Sequence, residues 1–166
     1  MDNLFDMLKQ PPEAAAYIKG SRKYPNICGR VLFYTVGNAV LVRSEIMGLP
    51  ENSAKCQSPL FAFHIHGGNA CTGTAEDPFS NSGMHYNPDN CPHPYHAGDM
   101  PPLFGVNGNA LSVFLTDRFT VNEIIGKTVI IHANPDDFKT QPSGNSGEKI
   151  ACGVILKSSM RRGWQA

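Results

Sequence analysis

Apolar residues along this chain fall in short runs with a two-residue alternation, without the 3.6-residue rhythm of an amphipathic helix. Runs rich in Val, Ile, Phe, Leu and Tyr, bounded by Gly, Pro or Asn, predict strands at 14–19, 30–36, 38–46, 59–66, 102–106, 110–116, 127–132 and 150–156. Asn107-Gly108, between two of these runs, suits a hairpin turn. Residues 1–13 look like a polar arm, in which Leu4, Phe5, Met7 and Leu8 would make a short amphipathic turn ahead of Pro11-Pro12. No internal repeat is present, and the expected class is all-β.

Two segments interrupt the strand rhythm. Residues 67–101 mix Gly, Asn, Pro, His and Cys with little apolar periodicity, and 133–149 are polar and rich in Gly and Ser. Loops this long inside a compact domain are usually functional or disordered. The histidines favour function: three of the six lie in the first loop, and three lie in strands leading into one loop or the other.

Composition narrows the picture. A chain of 166 residues fits one domain with a sizeable core, and 16 Gly with 13 Pro favour short strands and long loops over a helical bundle. The formal net charge is zero, so nothing argues for nucleic acid or an anionic membrane surface as partner. No apolar run approaches the roughly 20 residues of a membrane span. The first twenty residues carry acidic groups and a Pro pair before any apolar stretch and do not read as a signal peptide. The expectation is a cytoplasmic protein as written, or an extracytoplasmic one if a leader has been removed. Five cysteines (28, 56, 71, 91, 152) leave at least one without an intramolecular disulfide partner, and no CxxC is present.

The candidate chemistry lies in the histidines. In 59–66, alternation puts Phe61, Phe63 and Ile65 on the core face and Ala62, His64 and His66 on the other. In 127–132, Val129 and Ile131 point inward, and Ile130 and His132 outward. Three imidazoles would thus meet on the outer wall of a sheet. The loop adds His85, and then His93, His96 and Asp99 in the spacing H-x2-H-x2-D. Imidazoles with one carboxylate suit zinc, and imidazoles alone suit copper. Seven candidate ligands exceed the needs of one tetrahedral ion and fit two, especially if one imidazole bridges both. Taken alone, an H-x-H in a strand is more often a surface pair. Six histidines that all fall at strand ends or in one loop point to metal.

The stretches F-H-I-H (63–66), G-M-H-Y-N-P (83–88), H-A-G-D (96–99), V-I-I-H (129–132) and G-N-S-G-E-K-I-A-C-G-V-I (144–155) resemble the copper/zinc superoxide dismutases, in that family's order. The resemblance covers about residues 14–157, leaving 1–13 as an N-terminal arm and 158–166 as a C-terminal tail. It implies an eight-strand Greek-key flattened barrel or sandwich with long metal-site and electrostatic loops. It implies dismutation of superoxide to dioxygen and hydrogen peroxide at a His-bridged copper/zinc centre. His64, His66, His85 and His132 match the copper ligands, and His85, His93, His96 and Asp99 the zinc ligands, with His85 the bridge. Asp136 matches a carboxylate that hydrogen-bonds one ligand of each metal, here His64 and His93; Asp137 beside it reads as a solvated or turn residue. Cys71 and Cys152 match the family's disulfide, while Cys28, Cys56 and Cys91 have no counterpart.

Two departures stand out. Only Pro94 and Tyr95 separate His93 from His96, where the family usually has a longer segment, and Pro94 would preset a tight turn there. Lys149 stands where the family has an arginine beside copper; it keeps the positive charge that attracts superoxide but lacks the planar fork. His85 and Lys149 are thus the candidate catalytic residues, and Lys127 and Lys139 are further candidates for steering. The rivals are a non-enzymatic copper/zinc-binding protein of the same fold and a zinc-only structural site. A histidine-based hydrolase lacks any G-x-S-x-G. The oligomeric state stays open, with a homodimer one option.

Overall fold

The alternating runs form nine β-strands in the computed structural model, which describes residues 4–51 and 59–158. They are β1 (Ala14–Gly20), β2 (Cys28–Val36), β3 (Ala39–Met47), β4 (Leu60–Phe61), β5 (Phe63–His66), β6 (Leu103–Phe104), β7 (Ala110–Thr116), β8 (Thr128–His132) and β9 (Lys149–Lys157). Seven make one curled sheet in the order β5-β8-β9-β1-β2-β3-β7, and β4 pairs with β6 apart from it. Every pairing is antiparallel. The chain leaves β3 for the far edge, comes back to β3 with β7, then fills the gap between β5 and β1 with β8 and β9. Such crossing connections give the Greek-key topology expected of the sequence.

The predicted strand 59–66 is divided at Ala62. Before it, Phe61 pairs with Leu103 in the small sheet; after it, Phe63 pairs with Ile131 in the large one. Ala62 itself donates to the Asn134 carbonyl (2.8 Å), and its own carbonyl accepts from the His132 N–H (2.9 Å). Counted through this switch as one strand, 60–66 restores the expected eight. Asn107 and Gly108 both have positive φ (49° and 72°), as a two-residue hairpin turn requires, with Val106 and Asn109 bridged beside them.

The core is built from the faces that alternation assigned. Phe61, Phe63, Ile65, Val129 and Ile131 all join one buried cluster with Phe33, Leu103 and Ile155. Burying Phe63 completely contributes about 1.5–3 kcal/mol, so slipping β5 by one residue, which would exchange phenylalanine for histidine, is strongly opposed. The opposite face of β5 and β8, carrying His64, His66, Ile130 and His132, is roofed by the two long loops. Phe79 packs there against Ile130 and Cys152, and Cys71 is disulfide-bonded to Cys152 across 81 residues of sequence.

Two short helices were not predicted as such. α1 (Leu4–Met7) belongs to the arm, where Met7 and Leu8 pack on Ala15, Leu32, Tyr34 and Leu41. α2 (Val121–Ile124) is held by a capping box in which Thr120 and Glu123 hydrogen-bond reciprocally, burying Val121 and Ile124. Its sequence signal, T-x-x-E, was present; four residues are too few for a helical period to show. Cys56 and the tail residues 159–166 lie outside the described residues. Among the described residues no helix is long and apolar enough to cross a membrane.

Candidate metal centre

Strand parity aims His64 and His66 away from the core, and β8 brings His132 beside them. The first loop folds back along β5 as an irregular edge: Tyr86 donates to the Ile65 carbonyl (2.8 Å), and Ile65 donates to that of Gly98 (2.9 Å). Bridges between His66 and His85 and between His64 and Asp99 complete that edge. All six histidines and Asp99 are therefore buried under loops rather than displayed on a surface.

These side chains form two groups, His64, His66, His85 and His132, and His85, His93, His96 and Asp99, whose ligand atoms within each group lie within 4.8 Å of one another. His85 belongs to both. Its Nδ1 faces the second group, 2.7 Å from Asp99 Oδ1 and 3.3 Å from His96 Nδ1. Its Nε2 is buried on the other side without a hydrogen-bond partner.

In His64, His66, His93 and His132 the outer ring nitrogen meets a protein acceptor, which settles where the lone pair of each points. Carbonyls and carboxylates only accept, so the nitrogen facing one carries the proton. His66 Nδ1 donates to Gly83 O (2.8 Å) and His132 Nδ1 to Gly147 O (3.2 Å). Their Nε2 atoms then face each other 3.3 Å apart, lone pair to lone pair, which a hydrogen bond cannot satisfy and a shared cation can. Asp136 accepts from His64 Nε2 through Oδ2 (2.8 Å) and from His93 Nε2 through Oδ1 (2.9 Å). The inner nitrogens, Nδ1 of His64 and of His93, are buried and unpartnered; His93 Nδ1 stands 3.0 Å from Asp99 Oδ2 without hydrogen-bond geometry. Such outward hydrogen bonds on inward-pointing imidazoles are what metal-binding histidines need. The residues present fit two cations, one among four imidazoles and one among three imidazoles and a carboxylate.

The electrostatics agree. Burial pushes His132 down to about 3, with the neighbouring His64 repelling a second positive charge. Burial likewise carries His66 well below its ordinary value and lowers His64 and His96. These four rings are thus held in the neutral form, the one that binds metal. Burial would raise Asp136, but hydrogen bonds from His64, the Phe138 N–H and His93 outweigh it and hold the carboxyl at about 2. Burial opposes ionisation of Asp99 too, yet the bond to His85 and the surrounding imidazoles keep it low.

His93 and His96 meet despite their close spacing. Tyr95 donates to the Pro92 carbonyl (2.8 Å), which closes a tight turn over Pro92–Tyr95, and the two ring centroids lie 5.5 Å apart. Asp137 does only what a turn residue does, accepting from Lys139, Thr140 and the Thr140 hydroxyl.

Lys149 pairs with His132 across the β8–β9 ladder, at a bulge where the register slips. Its Nζ donates to Asp77 Oδ2 (3.0 Å) and to the Phe79 carbonyl (3.3 Å). Lys127 lies over the Tyr86 ring, 4.2 Å from its centre, and Lys139 is exposed on the second loop. Sequence reasoning missed Asp77, the Gly83 and Gly147 carbonyls, and Gly144. Gly144 has φ +66°, and a Cβ there would sit 2.0 Å from Asp136 Oδ1. Cys28 and Cys91 are free thiols, the first exposed and the second partly buried.

The comparisons with known proteins accord with this geometry. The family described as copper/zinc superoxide dismutase matches residues 27–155. A superoxide dismutase (Cu-Zn) 2 of Aquifex aeolicus is 31% identical over 144 residues, spanning 78% of this chain and 79% of its own. A superoxide dismutase (Cu-Zn) of Legionella pneumophila is 31% identical over 164 residues, 92% of each chain. The solved Cu/Zn superoxide dismutase from Brucella abortus superimposes with a TM-score of 0.71, over 86% of this chain and 99% of that one, at 21% identity, a likeness of fold. With buried imidazoles in two ligand groups that share His85, and a family match over most of its length, this chain belongs to the copper/zinc superoxide dismutases.

Proposed function

We propose that the chain dismutes superoxide, with copper held by His64, His66, His85 and His132 and zinc by His85, His93, His96 and Asp99. The observation that carries this reading is His85, whose two ring nitrogens face different groups. Bound copper supplies the one-electron couple by which one superoxide becomes dioxygen and a second, with two protons, becomes hydrogen peroxide. His85 keeps Nδ1 against the carboxylate group, so Nε2 is the ring atom that takes up and returns a proton beside the substrate. Asp136 fixes the rings of His64 and His93 together. Lys149 provides positive charge next to His132; because the chain as a whole is neutral, attraction of the anion depends on local charge.

The decisive experiment is metal content together with superoxide dismutase activity after reconstitution with both metals. One copper and one zinc per chain with activity is the expected result. Stoichiometric metal without activity would make this a copper/zinc-binding protein, and zinc alone after copper loading would make the site structural.

Three further assignments belong to the same reading. The catalytic domain spans 14–157, with 1–13 an arm and 158–166 a tail. The Cys71–Cys152 disulfide supports an oxidising, extracytoplasmic compartment over the cytoplasmic one. Leu111, Val113 and Leu115 form an exposed apolar ridge on the edge strand β7, which supports a homodimer. Sedimentation of the protein and of Val113→Lys tests the dimer: a monomeric wild type would remove it.

A further inference from the structure

We propose that Arg118 and Gln141 are positioning residues for the second ligand group, holding the backbone of the short 93–99 segment so that its three ligands converge. The inference rests on the reading that His85, His93, His96 and Asp99 bind zinc. That segment delivers three of the four ligands from seven residues, and none of it lies in a strand. Its own turns leave carbonyls facing outward, and two side chains from elsewhere in the chain meet them.

Gln141, on the second loop, grips His93 at both backbone groups. The His93 N–H donates to Oε1 (2.9 Å), and Nε2 donates to the His93 carbonyl (2.7 Å). This is the pair of bonds a neighbouring strand would make, supplied by one amide that donates and accepts at once. Arg118, just beyond β7, reaches the other end of the segment. Its Nη1 lies 3.0 Å from the Pro94 carbonyl, 3.3 Å from that of Asp99 and 3.4 Å from that of His96. The two N–H groups of that single nitrogen are shared among three carbonyls that face one point, and the guanidinium's permanent charge strengthens each bond. None of these contacts touches a ligand ring or the Asp99 carboxylate. They act on the chain that carries the rings, so they bear on the second group, whereas His64, His66 and His132 sit on strands that need no such support.

The test uses Arg118→Ala and Gln141→Ala in the protein loaded with both metals. Zinc affinity is measured by chelator competition, and the geometry of the second group by the absorption bands of cobalt(II) placed there in zinc's stead. Each variant is expected to weaken zinc binding by about tenfold or more and to shift the cobalt bands, with copper affinity changed several-fold less. Arg118→Lys and Gln141→Glu, which each keep part of the bonding, should fall between wild type and alanine; they also serve if an alanine variant does not fold. Zinc affinity within about twofold of wild type with unchanged cobalt bands overturns the proposal, as does a loss of copper affinity as large as that of zinc. Failure of the wild type itself to take up zinc or cobalt would instead overturn the zinc-site reading.

Discussion

The imidazole of His64 and the carboxylate of Asp136 meet 2.8 Å apart, both fully buried, although 72 residues separate them in sequence. The other oxygen of the same carboxylate holds His93, so one side chain from the second loop orients a ring of each ligand group. Asp136→Asn leaves the volume unchanged but gives one ring an amide NH2 in place of an acceptor. We expect affinity for the second metal to fall by about 10- to 100-fold, measured by chelator competition. Unchanged affinity would remove the orienting role.

Gly144 should be nearly as sensitive as Asp136. A methyl group at 144 would lie 2.0 Å from Asp136 Oδ1 and 2.8 Å from His93 Nε2, and the backbone there has φ +66°. Gly144→Ala is expected to lower affinity for the second metal in the same direction as Asp136→Asn. A variant with wild-type metal content after dialysis against a mild chelator would show that the loop yields without moving Asp136.

Acid should destabilise the metal-free protein. His132 is held at about 3 against an ordinary 6.5, and His66 well below the same value. Below the unfolded value, the unfolded chain binds protons that the folded chain refuses, so stability falls steadily as pH drops from 6.5 towards 3. Asp136, held at about 2 against 3.8, adds a loss of the same sign lower down. Urea midpoints between pH 4 and 7 should rise with pH, and less steeply in His132→Gln. Parallel slopes for the two proteins would contradict the burial argument.

Lys149 shares its charge with Asp77, which lies 3.0 Å from its Nζ. Replacement by arginine keeps the charge and adds planar donors, and should raise kcat/KM by no more than about threefold. Lys149→Gln should lower it by about tenfold and flatten its dependence on ionic strength, whereas Asp77→Asn should raise it at low salt. A salt dependence identical in wild type and Lys149→Gln would exclude this side chain from steering.

The Cys71–Cys152 bond ties the first loop to β9 across 81 residues of sequence. Cys152→Ser is expected to cost about 2–5 kcal/mol in unfolding free energy, chiefly because the unfolded chain gains freedom. Thermal unfolding in the absence of reductant reads this directly, and an unchanged Tm would mean that loop packing around Phe79 suffices.

How much of this was written in the chain depends on the range of the interaction. Alternation alone put Phe63 and Ile65 inside and His64 and His66 on the other face, because a strand's side-chain period is local and a register slip would exchange core for metal ligands. The motifs around His85, His96 and His132 carried the family resemblance for the same reason: each is contiguous. The break at Ala62 was not legible, since it depends on which strand lies beside residues 60–61 and which beside 63–66. Nor was the two-point grip of Gln141 on His93, the reach of Arg118 or the hold of Asp77 on Lys149. These contacts join residues 19 to 72 positions apart, and no local rule relates such pairs. Sequence by itself determined which side chains are candidate ligands and which way those on strands leave the sheet. Tertiary structure decided which acceptor holds the outer nitrogen of His64, His66, His93 and His132, and with it which nitrogen is left facing inward, because the loops that bring Gly83, Asp136 and Gly147 over the sheet are placed only when the whole fold closes.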